Sequence, residues 1–337
     1  MTEKSYGGAA PFRKEGNKMK GAGEKGSFTE KEKKPGRDSG DFEEELDRQK
    51  TIQAGKIASE IMNYAREIVG KDVLLIDIAE KIESRIEELG GKPAFPVNLS
   101  IDDVAAHYTP SPEDKTVARG LLKVDFGVHV DGWIADTAIS FDLDGSEENA
   151  SLIKAAEEAV RNALKIVKLG VSMAEVGKEV MKTIESHKAN PIINLTGHSI
   201  FRYELHSGTS VPNYDNGSPE PFEDGIYAIE PFATRGTGRV YGGKPSGIYE
   251  LVSDRNVRSP IARKILDFII EEYSTLPFCS RWIVKKFGSL ALFGLKQLEE
   301  NGNLHQFEQL IESSHRNVAQ AEHTILIEGK SVTVTTR

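Results

Sequence analysis

Apolar residues in the first third of the chain recur with the period of helices. Between residues 46 and 69 they return every three to four positions, for example at Ile61 and Ile68, which predicts a helix that ends at Gly70. A second helix is predicted from about Ile76 to Leu89, because the apolar pattern ends there at a glycine pair.

From about residue 119 the pattern becomes that of strands. Two apolar runs flank Asp131 and Gly132, a dipeptide that favours a two-residue hairpin turn. The elements predicted after the hairpin are helices at about 146–168 and 173–187, strands from 192 to 252, a helical block at 256–314, and strands at 319–327 and 331–336. This succession predicts an α+β fold with an inserted helical subdomain.

The first 42 residues differ in composition from the rest of the chain. They contain eight glycines and no Leu, Ile or Val, so they cannot bury enough apolar surface to offset the entropy of ordering. Residues 1–37 carry eight Lys and two Arg against five Glu, although the whole chain has a net charge of −9. We predict that residues 1–42 are a disordered basic tail and that residues 43–337 form the folded domain. The tail is either a solubilising extension or an electrostatic arm for RNA or the ribosome surface.

Composition limits the kinds of site that the chain can build. Cys279 is the single cysteine, which excludes an intramolecular disulfide and a thiolate metal site within one chain. No run approaches the roughly 20 apolar residues of a membrane span, and the N-terminus lacks the apolar stretch of a signal peptide. We therefore expect a cytoplasmic protein without a membrane association, in which any metal is held by His, Asp and Glu.

The hairpin places two carboxylates on one face of a sheet. With the turn at 131–132, Asp125 lies opposite position 138, so Asp136 is its diagonal neighbour on the same face. Two carboxylates this close repel each other unless a proton or a cation lies between them, which favours a metal site. The alternative is that one of them is a solvent-facing charge at the edge of the sheet.

Four further residues have the chemistry of a metal or catalytic site. His198 and His206 lie eight residues apart in a segment rich in Gly, Ser and Thr, which is typical of a functional loop. Glu230 and Glu322 lie in apolar strands, where a carboxylate is costly unless it is paired or coordinated. A buried salt bridge remains the alternative for either glutamate.

The local sequences around these residues resemble those of type II methionine aminopeptidases. The matching stretches are Phe95-Pro96, 105–110, 125–127, 136–138, 197–206, 228–232 and 320–325. They cover most of the chain from Leu46 onwards, and five ligand positions occur in the order of the family. The resemblance implies the pita-bread fold, a pseudo-symmetric antiparallel sheet covered by helices. Residues 276–278 and 281–282 also resemble the helical insertion that distinguishes type II from type I enzymes.

The resemblance implies removal of the N-terminal initiator methionine from nascent proteins and peptides with a small second residue. It implies two divalent metal ions, of Co, Mn, Fe or Zn, that hold a bridging hydroxide. In that arrangement Asp136 and Glu322 bridge both ions and Asp125 binds one of them. His198 and Glu230 complete the other, and Glu230 also handles the proton of the nucleophile.

The resemblance further implies roles for residues that are not ligands. His107 and His206 match two histidines near the scissile bond, where they can hydrogen-bond the peptide and the developing oxyanion. The positions that line the methionine pocket are matched by Phe95, Leu205 and Phe307. Any buried core would also contain apolar residues at such positions.

Two other functions remain open. A proline-specific peptidase of the same fold would keep the five ligands but would lack the helical insertion. A non-enzymatic relative associated with RNA or the ribosome would lose ligands. We further expect a monomer that acts on the N-termini of nascent polypeptides, and contact with ribosomes through the basic tail remains open beside the solubilising role.

Overall fold

The computed structural model describes the backbone of residues 39–337 and the side chains from Asp47 onwards. Residues 1–38, which are most of the tail predicted to be disordered, lie outside the described part. Helix α1 begins at Ser39, within the last residues of the segment 1–42.

The elements of the described part alternate between helices and strands. The helices are α1 (Ser39–Ile68), α2 (Leu75–Glu88), α3 (Glu147–Ile166), α4 (Met173–Ser186), α5 (Pro260–Glu272), α6 (Ser280–Phe287) and α7 (Ala291–Glu300). The strands are β1 (Lys92–Pro93), β2 (Asn98–Ile101), β3 (Val104–Ala106), β4 (Leu121–Val130), β5 (Trp133–Asp142), β6 (Asn190–Pro191), β7 (Thr196–Ile200), β8 (Ser210–Pro212), β9 (Gly225–Ile229), β10 (Phe232–Thr234), β11 (Val240–Leu251), β12 (Phe278–Cys279), β13 (Leu304–Glu312), β14 (Val318–Gln320), β15 (Glu322–Glu328) and β16 (Ser331–Val334). The α+β class and the four helices predicted before residue 190 are confirmed. Within residues 39–337, none of the helices combines the length and apolarity that a bilayer crossing requires.

A central antiparallel sheet, with nine strands in the described part, organises the molecule. Its strands follow the order β1-β4-β5-β15-β9-β7-β8, with β2 beside β4 and β16 beside β15. The hairpin β4–β5 turns at Asp131 and Gly132, whose φ angles of +49° and +88° fit the type I′ turn that the dipeptide predicts. Asp125 lies opposite Ala138, and Asp136 lies opposite Gly127, so the predicted register is confirmed.

Two pairs of helices bury apolar residues against this sheet. Ile61 of α1 and Ile82 of α2 belong to the same buried cluster as Phe126 of β4. Val180 of α4 belongs to a second cluster with Ile325 of β15. Burial of each such side chain stabilises the fold by about 1.5–3 kcal/mol. The amphipathic periodicity of the helices therefore fixes which of their faces meets the sheet.

The block predicted to be helical at 256–314 contains α5, α6 and α7 but ends in a strand. Residues 304–312 form β13, which pairs with β11 and with β3. Leu304, Phe307 and Leu310 are spaced as on a helix, and on this segment the helical prediction is wrong. Register shifts in the β11–β13 ladder between residues 242 and 249 show bulges, which interrupt the alternation expected of a strand.

The segment predicted as one strand from Ala319 to Ile327 is two strands. β14 pairs with β10 in a separate sheet, whereas β15 pairs with β5 and β9 in the central sheet. The change of partner occurs at Ala321, and it leaves Glu322 as the first residue of β15.

Candidate metal centre

Five adjacent strands of the central sheet carry the five predicted ligands. The strand order β4-β5-β15-β9-β7 brings together segments that are far apart in the sequence. The ligands lie as follows: Asp125 on β4, Asp136 on β5, Glu322 at the start of β15, Glu230 directly after β9, and His198 on β7. Ala138 of β5 is paired with Asp125 on one side and with Glu322 on the other, so these two carboxylates flank β5 in one row.

Asp136, His198 and Glu322 form the tightest part of the centre. Each offers one ligand atom, and these atoms all lie within 4.8 Å of one another. Nε2 of His198 is 3.6 Å from Oδ2 of Asp136 and 3.6 Å from Oε1 of Glu230. Such separations are too long for hydrogen bonds, and they suit ligand atoms that are each about 2.1 Å from a shared cation.

Burial and mutual repulsion perturb the ionisation of the carboxylates. Burial raises the pKa of Asp125 to about 7. Burial, together with the neighbouring acidic groups, holds the pKa values of Asp136, Glu230 and Glu322 well above their usual range. Burial also lowers the pKa of His198 to about 4, which keeps its imidazole neutral and able to coordinate. Four carboxylates cannot all ionise in so small a buried space unless cations compensate their charge.

Unpaired oxygen atoms in the centre agree with a metal site. Oδ1 of Asp125 and Oδ1 of Asp136 are buried and have no hydrogen-bond partner among the described residues. Nε2 of Gln320 donates to Oδ2 of Asp125 and to Oε2 of Glu322, each at 3.3 Å. A buried carboxylate oxygen without a partner is costly, and a divalent cation removes that cost. These residues therefore fit divalent metal binding through oxygen and nitrogen ligands.

His107 lies beside this centre in an unusual conformation. It follows β3 and has a φ of +63°, a left-handed value that residues other than glycine rarely adopt. Its Nδ1 is 3.2 Å from the carbonyl oxygen of Glu308, so Nδ1 carries the proton and Nε2 is an acceptor in the neutral ring. Burial lowers the pKa of His107 to about 4, which favours that neutral form.

His206 lies beside His198 in the centre. Its ring packs edge-on against the ring of His198, with 4.4 Å between the centroids. Burial, and then the neighbouring His198 and His107, hold the pKa of His206 well below its usual range. The two histidines that are not predicted ligands therefore border the same space as the ligands.

All ten predicted site residues line one cavity of about 80 Å³. Seven further residues line the cavity and were not predicted as site residues: Asn98, Ala106, Leu195, Thr196, Phe232, Ile248 and Pro277. Asn98 of β2 is paired with Asp125 of β4, so a prediction of that strand pair would have found it. Ile248 and Pro277 reach the cavity from β11 and from the segment before β12, and no local sequence signal marks them.

The chain is similar to metallopeptidases of known sequence. The sequence profile of metallopeptidase family M24 matches residues 49–328. A methionine aminopeptidase from Pyrococcus horikoshii is 46% identical over 299 residues, which are 86% of this chain and 100% of that protein.

Solved structures share the architecture at much lower identity. A thermophilic Arx1 has a TM-score of 0.74 at 17% identity over 86% of this chain and 90% of that chain. A methionine aminopeptidase from Thermotoga maritima has a TM-score of 0.63 at 21% identity over 87% of this chain and 97% of that chain. At these identities the likeness concerns the fold, which is the predicted pita-bread fold.

Proposed function

Because the chain belongs to metallopeptidase family M24, we propose that it removes the N-terminal methionine from nascent proteins and peptides whose second residue is small. It is a metallo-aminopeptidase, and its relative from Pyrococcus horikoshii, matched over its whole length, is a methionine aminopeptidase. The observation that carries the proposal is the buried cluster of Asp136, His198 and Glu322. A metallopeptidase hydrolyses a peptide bond only if its side chains can bind the metal, and this cluster offers the side chains for that binding.

We assign the five ligands to two divalent ions. Asp136 and Glu322 would be shared by both ions, Asp125 would hold one ion, and His198 and Glu230 would hold the other. The unpaired oxygens of Asp125 and Asp136 support this assignment. When bound, the ions supply Lewis-acid polarisation of the methionine carbonyl and lower the pKa of the attacking water. Oxygen and imidazole ligands accept Mn, Fe, Co or Zn, so availability in the cell selects among them.

The residues around the ligands orient the substrate and move the proton. Glu230 accepts the proton of the attacking water, because its carboxylate lines the same cavity as the other ligands and lies 3.6 Å from Nε2 of His198. Nε2 of His107 accepts a hydrogen bond from a peptide N–H, since Nδ1 already donates to the Glu308 carbonyl. His206 donates to the oxyanion that develops on the scissile carbonyl.

Apolar side chains form the wall that receives the methionine side chain. Phe95 and Leu205 lie on that wall, with Pro277 and Ile248 from the segments around β11 and β12. Phe307 lines the same cavity, and its ring meets the ring of His107 at 5.4 Å between centroids. A flexible thioether chain suits such a small, irregular apolar space.

The substrates are the N-termini of nascent polypeptides, and we place the reaction in the cytoplasm. We propose that the protein works as a monomer and that its basic segment 1–37 attracts it to ribosomes. The excess of ten cationic over five acidic side chains in that segment supports an electrostatic attraction to RNA phosphates.

A peptide panel tests this function. Wild-type protein should release methionine from a Met-Ala peptide, much less from a peptide with a bulky second residue, and nothing from an N-acetylated or Xaa-Pro peptide. Asp136→Asn should abolish turnover, whereas Asp142→Asn on the same strand but outside the cavity should not. Preferential cleavage of Xaa-Pro peptides, or full activity of Asp136→Asn, would contradict the proposal.

A further inference from the structure

A buried ion pair joins the helical insertion to the body of the molecule. Arg281 of α6 donates from its two terminal nitrogens to both carboxylate oxygens of Glu83 of α2, at 2.6 and 2.8 Å. The two side chains are only 4% and 9% exposed. Nε1 of Trp282 donates to the same carboxylate at 2.9 Å. A two-point pair of this kind fixes the relative orientation of both side chains more tightly than a point charge would.

The same pair holds two backbone segments in place. The backbone N–H of Val97 donates to Oε1 of Glu83 at 3.3 Å. Nε of Arg281 donates to the carbonyl oxygen of Pro110 at 3.2 Å. The two segments are also joined directly, because Oγ1 of Thr109 donates to the carbonyl oxygen of Val97 at 2.9 Å. One ion pair therefore anchors both of these backbone segments, which are also hydrogen-bonded to each other.

Each anchored segment carries a residue of the site cavity. Phe95 precedes Val97 by two positions, and His107 precedes Pro110 by three. Neither Glu83 nor Arg281 lines the cavity itself. Any effect of the pair on the substrate is therefore indirect, and the backbone of these two segments offers a path for it.

His107 is the residue that most needs such support. Its φ of +63° is unfavourable for a residue with a side chain, and such a conformation persists only where surrounding contacts hold it. The bonds made by Thr109 and by the Pro110 carbonyl lie immediately after it in the chain. Their loss would let the backbone relax and would turn the imidazole away from its present position.

We propose that Arg281 and Glu83 are positioning residues, which hold Phe95 against the methionine side chain and His107 against the peptide. Arg281 and Glu83 then take part in substrate recognition without touching the substrate, because neither of them lines the cavity. This inference rests on the proposed function, because it assigns the two cavity residues to methionine and peptide. Its competitor is a purely structural role, in which the pair only stabilises the packing of α6 on α2.

The variants must separate positioning from folding. Arg281→Met would leave the Glu83 carboxylate buried without a counter-charge, which destabilises the fold itself. The double variant Glu83→Gln with Arg281→Gln removes both charges together, and Arg281→Lys keeps the charge but loses the planar fork. Arg85→Gln is the matched control, because Arg85 lies on the same helix and forms only exposed ion pairs with Glu60 and Glu88.

The first readout is the kinetic selectivity of folded protein. The double variant should raise the KM for a Met-Ala peptide about tenfold. It should also lower the ratio of kcat/KM for a peptide with N-terminal methionine to that for the norleucine peptide, because a displaced pocket wall distinguishes the two side chains less well. Arg281→Lys should fall between the double variant and wild type, and Arg85→Gln should match wild type. A purely structural role would lower the melting temperature and the active fraction but leave both KM and the selectivity unchanged.

The second readout does not depend on activity. Amide hydrogen exchange of residues 97–99 should accelerate in the double variant, while exchange in the β4–β5 hairpin stays at the wild-type rate. If wild-type protein releases no methionine, the proposed function is wrong, and the exchange measurement still decides whether the pair positions the segments. Wild-type KM, selectivity and exchange in a folded double variant would overturn the inference.

Discussion

Substitution of Gly127 by alanine tests whether the position of the Phe95 ring determines how well the pocket binds methionine. Gly127 lies on β4, two residues after the predicted ligand Asp125. A Cβ added at this position would lie 2.5 Å from Cε1 of Phe95 and 2.9 Å from Cβ of Ala94. Carbon atoms in contact stay about 3.5–4.0 Å apart, so the Phe95 ring would have to move by about 1 Å.

The size of the effect follows from that displacement. Overpacking of this kind costs about 1–3 kcal/mol of stability, which a protein of this size tolerates. A misplacement of about 1 Å at a substrate contact costs up to about a hundredfold in rate. We therefore expect Gly127→Ala to lower kcat/KM for a Met-Ala peptide about 10–100-fold, mainly through KM. Metal content should stay at the wild-type level, because the three atoms nearest to the added methyl group belong to Phe95 and Ala94 and not to a ligand.

Steady-state kinetics on folded protein, with metal content and melting temperature measured on the same preparation, check this prediction. Gly70→Ala is the control, since the nearest atom to its added Cβ is Cγ2 of Val73 at an ordinary 3.7 Å. An unchanged KM in Gly127→Ala would remove Phe95 from the pocket. Loss of metal with an unchanged KM would also refute the reasoning, because it would show that the added methyl group displaces the metal ligands and not the Phe95 ring.

Three further predictions concern the ligands and the tail. Asp136→Asn and Glu322→Gln should each lose more metal affinity than Asp125→Asn, because a bridging carboxylate neutralises two cations. If elemental analysis found the same full metal content in all three variants, the assignment of bridging ligands would be wrong. Glu230→Gln should lower kcat by at least about a hundredfold and weaken one metal position, and near-normal single-turnover rates would exclude it from proton transfer. Deletion of residues 1–37 should leave peptide turnover unchanged but weaken cosedimentation with ribosomes at low salt, with the difference fading as salt rises. Ribosome binding that is the same with and without the segment at every salt concentration would favour a solubilising tail.

Local sequence signals predicted the part of the site whose residues lie close together in the sequence. The turn at Asp131 and Gly132 fixes the register of β4 and β5, so the juxtaposition of Asp125 and Asp136 follows from the amino-acid sequence alone. The meeting of β15, β9 and β7 beside that hairpin depends on strand order, which no periodicity encodes. For His198, Glu230 and Glu322 the resemblance to a family therefore supplied what the hydrophobic pattern could not.

Non-local contacts explain the failures as well. Residues 304–312 have apolar residues at helical spacing, yet pairing with β11 and β3 makes them a strand. In the sequence, Glu83 and Arg281 look like solvent-facing charges. They lie 198 positions apart, and only the folded structure shows that they are buried together as a pair. Pro277 enters the cavity through the same insertion, so its place also depends on how the insertion docks.

The central claim is that a methionine-specific hydrolase works through metal ions held by this cluster. Its most direct test is to strip the purified protein of metal and to follow methionine release from a Met-Ala peptide while Mn, Fe, Co or Zn is added in graded equivalents. We predict no turnover without metal and activity that rises with occupancy of two sites for at least one of these ions. Full turnover by the metal-free protein, or no methionine release with any of the four ions at full loading, would contradict the claim.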